Sequence, residues 1–167
     1  MIGANTALRP IINNRRTLYY LCTVLLLAGL DQLSKAYLIT YLKTQPGYVK
    51  EIFPFFDLVY AWNYGISFGL FREYYQYSNL AFLALNSIII IYLIRMLYTS
   101  KGRLFQTGLI LVIGGALGNL IDRIYRGAVF DFLYFHYQGV GFPAFNLADS
   151  FISIGACLII YNYSKLS

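Results

Sequence analysis

The chain has 167 residues, of which 59% are hydrophobic and only 12% are charged. A soluble domain needs more polar surface than this composition supplies. The net charge of +6 does not indicate a nucleic-acid partner, because basic residues beside membrane helices are explained by topology and by anionic lipid headgroups. We therefore expect one integral membrane domain over residues 1–167.

Four apolar runs approach the length of about 20 residues that a helix needs to cross a bilayer. They cover about residues 17–38, 80–98, 104–121 and 147–163. The first run follows three arginines, as a signal peptide does, but it has no small-residue cleavage site and is interrupted by Asp31 and Lys35. We interpret it as a permanent anchor.

The two cysteines, Cys22 and Cys157, lie within the first and fourth runs. They have neither C-x-x-C spacing nor a histidine partner nearby, so a disulfide or a metal site is not indicated. We expect both to be small buried side chains.

The connections between the runs are rich in aromatic and β-branched residues, and we assign them to an outer cap. They cover about residues 39–79 and 125–145. Residues 48–60 predict short strands interrupted at Pro54, and residues 129–137 predict a strand before a turn at Gly139 and Gly141. The expected fold is an all-α membrane protein of four transmembrane helices with a small extracytoplasmic cap containing β structure.

The charges are divided between the two ends of the predicted helices. Basic residues flank the first run, the connection between the second and third runs, and the end of the fourth: Arg9, Arg15, Arg16, Arg95, Lys101, Arg103 and Lys165. The acidic residues lie in the other segments or at the outer ends of helices: Asp31, Glu51, Asp57, Glu73, Asp122, Asp131 and Asp149. This pattern predicts cytoplasmic termini and acidic groups at the outer face.

Ionisable groups at membrane depth are costly unless they are paired or hydrated. Asp31 and Lys35 are four residues apart, so they share one face of the first helix, and we expect a structural ion pair. Asp122 is followed by Arg123, whose charge we expect to keep this carboxylate ionised. That environment favours an orienting or structural role for Asp122.

Asp131 and Asp149 differ from these paired groups. Asp131 lies among apolar neighbours, and we expect desolvation to raise its pKa. Asp149 begins the fourth helix at the same predicted membrane level. Two carboxylates that meet there tend to share one proton, and they then supply an acid and a base for water attack on a peptide carbonyl.

Other interpretations of these carboxylates stay open at this stage. The only histidine is His136, so neither a Ser-His-Asp triad nor a zinc site competes. Asp149 can instead cap a helix, Asp131 can belong to a loop, and Asp122 can replace Asp131 in the pair. Outward carboxylates also suit a proton-coupled transporter or channel, and a structural assembly factor is a third class.

Three asparagines have side chains that can hold an extended peptide backbone: Asn63, Asn119 and Asn146. The alternative for Asn63 is a turn before Gly65, and the alternative for Asn119 is hydrogen bonding between helices. Gly114 and Gly118 have G-x-x-x-G spacing, for which we favour close helix packing.

Five segments together resemble the type II (prolipoprotein) signal peptidases in order and spacing. They are Asp31–Lys35, Asn63–Phe68, Gly114–Arg123, Val129–Phe132 and Phe145–Ser150. The family more often has Ala-Ala or Ala-Phe at Ile66 and Ser67, and a second Val at Phe130. None of these departures touches a predicted catalytic group.

The resemblance implies a membrane aspartyl protease with a β-containing outer cradle and without a metal or cofactor. Its catalytic aspartates correspond to Asp131 and Asp149. The positions around the substrate backbone correspond to Asn63, Asn119, Arg123 and Asn146. The supporting positions correspond to Asp31, Lys35, Gly65, Gly118, Asp122 and Ala148.

The resemblance also implies the substrate and the location. Such enzymes cut the signal peptide from diacylglyceryl-modified prolipoproteins on the amino side of the lipidated cysteine, in the bacterial inner membrane. Globomycin-type cyclic peptides inhibit them. A lipidated cysteine holds the scissile bond at the membrane surface, where a pair of aspartates at the outer helix ends can reach it.

Overall fold

A computed structural model describes residues 14–65 and 75–165. Arg9, Glu73 and residues 66–68 of the second matching segment lie outside these ranges. The described residues form four long helices: α1 (Asn14–Leu42), α2 (Tyr75–Thr99), α3 (Arg103–Arg126) and α4 (Leu147–Ser164). They also form four strands: β1 (Val49–Phe53), β2 (Phe56–Asn63), β3 (Val129–Tyr137) and β4 (Val140–Gly141).

All four helices are long and apolar enough to cross a membrane, as the sequence predicts. Three of them extend well beyond the predicted spans: α1 to Leu42, α2 from Tyr75 and α3 to Arg126. The predicted span of α3 ends before its first acidic residue, Asp122, whereas the helix continues through charged residues that find partners. The helix α3 ends where Gly127 adopts the left-handed conformation, with φ of 74°, which glycine tolerates without steric cost.

The four strands form one antiparallel sheet in the order β1-β2-β3-β4, which confirms the predicted β structure. Pro54 lies between β1 and β2, and Gly139 lies between β3 and β4 with φ of 83°. The strands join the C-terminal ends of α1 and α3 to the N-terminal ends of α2 and α4. The sheet, called the cap below, therefore lies at that end of the helix bundle.

The helix α3 is the centre of the bundle, since it packs against α1, α2 and α4. Its buried residues Leu109 and Ile113 form a core with Tyr20 and Leu97. Many leucines and isoleucines of the other three helices are exposed on the protein surface, as expected for side chains that face lipid. A second core, beneath the cap, contains Leu42 and Phe130.

Glycines let α3 approach its neighbours closely. A Cβ atom on Gly115 would lie 2.3 Å from the carbonyl oxygen of Ala148 in α4. On the side facing α1, a Cβ on Gly114 would lie 2.8 Å from Leu27, and a Cβ on Gly118 would lie 2.6 Å from Asp31. The close packing predicted from the G-x-x-x-G spacing is confirmed.

The prediction of buried cysteines is wrong. Cys22 and Cys157 are free thiols on the exposed faces of α1 and α4. In a membrane helix the apolar sequence continues around the lipid-facing side, so hydrophobic neighbours in the sequence do not indicate burial in the protein.

We predict that Gly115→Ala destabilises the bundle by about 1–3 kcal/mol, because its methyl group would meet backbone rather than a mobile side chain. Gly29→Ala is the matched control, since nothing lies within 4 Å of a Cβ at that helical position. Thermal unfolding in detergent measures both. Equal unfolding midpoints for the two variants would contradict the proposed close contact between α3 and α4.

Candidate active site

A network of buried and half-buried polar side chains lies where the helix bundle meets the cap. It draws residues from α1, α3, β3 and the start of α4: Asp31, Lys35, Asn119, Asp122, Asp131, Asn146 and Asp149. Most of the predicted site residues are therefore brought together, although they are spread over more than a hundred positions of the sequence.

Asp131 occupies an inner position of the cap. It lies on β3 opposite Ala61 of β2, and it is only 3% exposed. Its Oδ1 atom accepts a hydrogen bond of 2.7 Å from Nδ2 of Asn146. The loop alternative for Asp131 is wrong, because the strand pairing fixes its backbone.

Asp149 lies in the first turn of α4, where it is held by a capping box. The side chain of Asn146 accepts from the backbone N–H of Asp149 at 3.0 Å, and the backbone N–H of Asn146 donates to Oδ2 of Asp149 at 3.2 Å. Asn146 is thus the N-cap and Asp149 the third helical residue, which corrects the N-cap alternative for Asp149. Asn119 donates to the second oxygen of Asp149 at 2.8 Å.

Asn146 consequently contacts both carboxylates, through its side-chain amide to Asp131 and through its backbone N–H to Asp149.

Burial, and then the nearby charge of Asp149, raise the pKa of Asp131 to about 6. Hydrogen bonds that Asp131 accepts from Asn63 and Asn146 act in the opposite direction. The expected rise in the pKa of Asp131 by desolvation is confirmed.

Lys35 is the central cation of the network and is fully buried. Its Nζ atom lies 2.8 Å from Asp31 and 2.9 Å from Asp122, and it donates to Oδ1 of Asn119 at 3.0 Å. These contacts match the three donors of an ammonium group. The predicted ion pair between Asp31 and Lys35 is confirmed, with Asp122 as a further partner.

The charge of Arg123 acts on Asp122, as expected, but the direct partners of Asp122 are other residues. Asp122 forms ion pairs with Lys35 and Arg126, and its Oδ2 atom also accepts from the backbone N–H of Phe130 at 3.2 Å. Adjacent residues on a helix point in different directions, so the residue four positions later is the nearer partner. Since both oxygens of Asp122 are occupied, the rival pairing of Asp122 with Asp149 has no support in this geometry.

Gln32 is a site residue that the sequence reasoning missed. Its amide donates to the carbonyl of Gly118 and to Asp122, both at 3.0 Å, and its Oε1 atom accepts from Arg126 at 2.9 Å. Its place beside Asp31 in the first matching segment was the available signal. A neutral side chain gives no electrostatic signal of its own in the sequence.

Arg123 interacts electrostatically with three aspartates, Asp131, Asp122 and Asp149. Its guanidinium lies 4.7 Å from the ring centre of Phe82, a cation–π arrangement. The side chain is 8% exposed, and its Nη1 atom is buried without a hydrogen-bond partner among the described residues. Arg123 therefore keeps an unused donor.

The remaining predicted residues hold the backbone around the site. Oδ1 of Asn63 accepts from the backbone N–H of Gly65 at 2.8 Å, so the turn interpretation of Asn63 is confirmed. Gly65 has φ of 79°, and a Cβ there would lie 2.3 Å from Phe82. The N–H of buried Ala148 donates to Asp31 at 3.0 Å, which ties the start of α4 to α1.

Comparison with known proteins identifies the family. The family model described as "Signal peptidase (SPase) II" matches residues 23–165. The chain belongs to the signal peptidase II family. It is 53% identical to the lipoprotein signal peptidase of Rickettsia felis over 140 residues, which are 84% of this chain and 71% of that protein. It is 52% identical, with the same coverage, to the lipoprotein signal peptidase of Rickettsia canadensis.

Solved structures give the same result for the fold of this signal peptidase II family member. A bacterial membrane enzyme solved at 2.3 Å resolution matches it with a TM-score of 0.74 and 30% identity, over 88% of each chain. A second, solved at 1.9 Å, matches with a TM-score of 0.73 and 28% identity, over 87% of this chain and 92% of that one. The arrangement of four membrane helices and a small sheet is therefore that of a membrane enzyme.

The raised pKa of Asp131 predicts a pH-dependent stability. The stabilisation linked to its protonation is fully present below the ordinary pKa of 3.8 and is lost as the pH rises through about 6. Asp131→Asn removes this dependence, because an amide stays neutral. The variant should therefore gain stability relative to wild type, on the order of 2 kcal/mol, between about pH 4 and about pH 8.

Unfolding midpoints in detergent at both pH values measure this gain. Glu51→Gln is the control, since Glu51 is exposed on β1. If the unfolding midpoints of wild type and Asp131→Asn differed by the same amount at both pH values, the carboxyl of Asp131 would be ionised in the folded protein throughout the range.

Proposed function

We propose that this protein is an aspartyl endopeptidase that removes the signal peptide from diacylglyceryl-modified prolipoproteins, on the amino side of the lipidated cysteine. The observation that carries the proposal is the contact of one residue, Asn146, with both Asp131 and Asp149. Membership of the signal peptidase II family and the similarity to lipoprotein signal peptidases support the substrate.

The surroundings of the two aspartates favour different protonation states. Both oxygens of Asp149 accept hydrogen bonds, and its place in the first turn of α4 favours negative charge through the helix dipole. Asp131 is buried, and its pKa is raised to about 6. We assign Asp149 as the base and Asp131 as the protonated acid of one catalytic pair.

Hydrolysis then proceeds with one shared proton. Asp149 takes a proton from water as the water oxygen attacks the scissile carbonyl carbon, while Asp131 donates its proton to the carbonyl oxygen. The tetrahedral intermediate collapses as its hydroxyl proton returns to Asp131 and the proton on Asp149 passes to the leaving nitrogen. The C–N bond breaks, a carboxyl group and an amine are formed, and the pair regains its starting state.

The predicted substrate-binding residues divide into two groups. Arg123, with its unused donor, is assigned to direct contact with the substrate backbone. Asn63, Asn119 and Asn146 already donate hydrogen bonds to the aspartates, so their first role is to orient these carboxylates toward the peptide. Asn63, at the end of β2, is also assigned to the substrate backbone. Gly65, Gly118 and Ala148 keep the surrounding backbone in place.

The location follows from the charge pattern. We propose that the protein lies in the bacterial inner membrane with both termini cytoplasmic, because the basic segments join the helix ends that lie away from the cap. The cap and the aspartates then face outward. A lipidated cysteine keeps its acyl chains in the bilayer while the scissile bond reaches the aspartates, and globomycin-type cyclic peptides are expected to occupy the same site.

We predict that Asp131→Asn and Asp149→Asn each reduce cleavage of a lipidated prolipoprotein by about 10³-fold or more, because either change removes the acid or the base. Asp57→Asn is the matched control: Asp57 lies on the cap sheet, where it contacts His136 at 3.0 Å. Cleavage by the purified proteins, with and without globomycin, measures the effect.

Two outcomes would reject this assignment. Normal processing by a folded Asp131→Asn variant, together with inactivity of folded Asp122→Asn, would place Asp122 in the catalytic pair. Proton flux through the reconstituted protein in the absence of any processing would favour a transporter. Accumulation in the membrane is checked for every variant.

A second test concerns the pH profile. The hydrogen bond from Asn63 lowers the pKa of Asp131, so Asn63→Ala should raise that pKa. The basic limb of kcat/KM, where Asp131 loses its proton, should therefore move to higher pH. An unchanged limb combined with a higher KM would mean that Asn63 only binds substrate.

A further inference from the structure

A cavity of about 370 Å³ lies at the end of the bundle opposite the cap. Its lining comes from the first turns of α1 and α3 and includes Arg16, Tyr20, Arg103, Gln106, Thr107 and Ile110. Sixteen residues of α3 separate Arg103 from Asn119, a distance of about 24 Å along a helix. The cavity is therefore separate from the candidate active site.

The two arginines of this cavity have unused donors. Nε of Arg16 donates to the hydroxyl of Tyr20, and the guanidinium lies 5.3 Å from the centre of that ring. Within residues 14–65 and 75–165, the Nη atoms of Arg16 and the guanidinium of Arg103 have no hydrogen-bond acceptor in the protein. Tyr20 thus positions one cation beside the cavity and leaves its outer nitrogens available.

The positive charge around the cavity favours binding of an anion. Neither α1 nor α3 has an acidic residue in its first turn, so arginines stand where helix dipoles favour negative charge. The N-cap residue of α3 is Gly102, which provides no side-chain hydrogen bond to the first turn. The first acidic residues along these helices are Asp31 and Asp122, both near the opposite ends. Two guanidinium groups and two positive helix ends therefore lie around one cavity, and the part of the chain that the structure describes places no acidic side chain beside them.

The position of the cavity indicates which anion it receives. It lies at the ends of two membrane-spanning helices, at the depth of lipid headgroups. Its floor is formed by buried side chains, Tyr20, Gln106 and Ile110, which are at most 8% exposed. The volume suits a small polar group, and basic pockets between helices at this face of a membrane bind acidic headgroups.

We propose that this cavity binds the phosphate group of an anionic phospholipid. The guanidinium groups of Arg16 and Arg103 hold the phosphate oxygens. The acyl chains lie along the exposed apolar surface of the neighbouring helices. A zwitterionic lipid binds less well, because its own cation meets the two arginines.

Native mass spectrometry of the full chain in detergent tests the proposal, with phosphatidylglycerol and phosphatidylcholine as probes. Wild type should retain phosphatidylglycerol in preference to phosphatidylcholine. Arg16→Gln combined with Arg103→Gln should weaken phosphatidylglycerol binding by about 30-fold, if each arginine contributes its usual share at a membrane surface. Arg95→Gln combined with Lys101→Gln removes the same charge outside the cavity lining and should retain the preference.

Equal losses in the two double variants would overturn the proposal, since binding would then reflect net charge alone. Inorganic phosphate is a second probe. If wild type bound inorganic phosphate as strongly as phosphatidylglycerol, the lipid assignment would be overturned in favour of a soluble anion. Prolipoprotein cleavage in detergent serves as the folding check, because both arginines lie far from the aspartates.

Discussion

The site depends on one buried cation, Lys35, which satisfies its three donors with Asp31, Asp122 and Asn119. An ammonium group with no water around it is tolerated only when its donors are paired, and removing one partner of such a pair costs about 3–5 kcal/mol. Because its partners lie on α1 and α3, the cation fixes how these helices meet. It also leaves Asn119 with its N–H groups directed at Asp149.

The contacts of the four aspartates divide them into two groups. Asp31 and Asp122 form ion pairs with Lys35, whereas Asp131 and Asp149 accept hydrogen bonds from the amides of Asn146 and Asn119 and interact electrostatically with Arg123. Asp31 and Asp122 therefore hold the fold, and Asp131 and Asp149 are the pair for which we propose proton exchange. The role of each carboxylate is therefore set by the residues that it contacts and not by how deeply it is buried.

Much of this could be predicted from the sequence, because several signals are local. The spacing of Asp31 and Lys35 predicts their ion pair, and residues 129–137 have the pattern of a strand. The ion pair between Asp122 and Lys35 was not predictable, since the two residues are distant in sequence. Arg126 stands four residues after Asp122, the same spacing as in the predicted pair, but it lies beyond the apolar run. The exposure of Cys157 was not predictable, because the lipid-facing and protein-facing sides of a helix have similar hydrophobicity.

Asn146 belongs to two structures at once, the cap of α4 and the link between the aspartates. The helix α4 therefore supplies both the carboxylate of Asp149 and, at its start, the residue that connects it to Asp131. Under the proposed mechanism, a chain whose α4 has not yet joined the bundle lacks one of the two aspartates and the amide that contacts both. Proteolytic activity would then require α4 to be packed against α3.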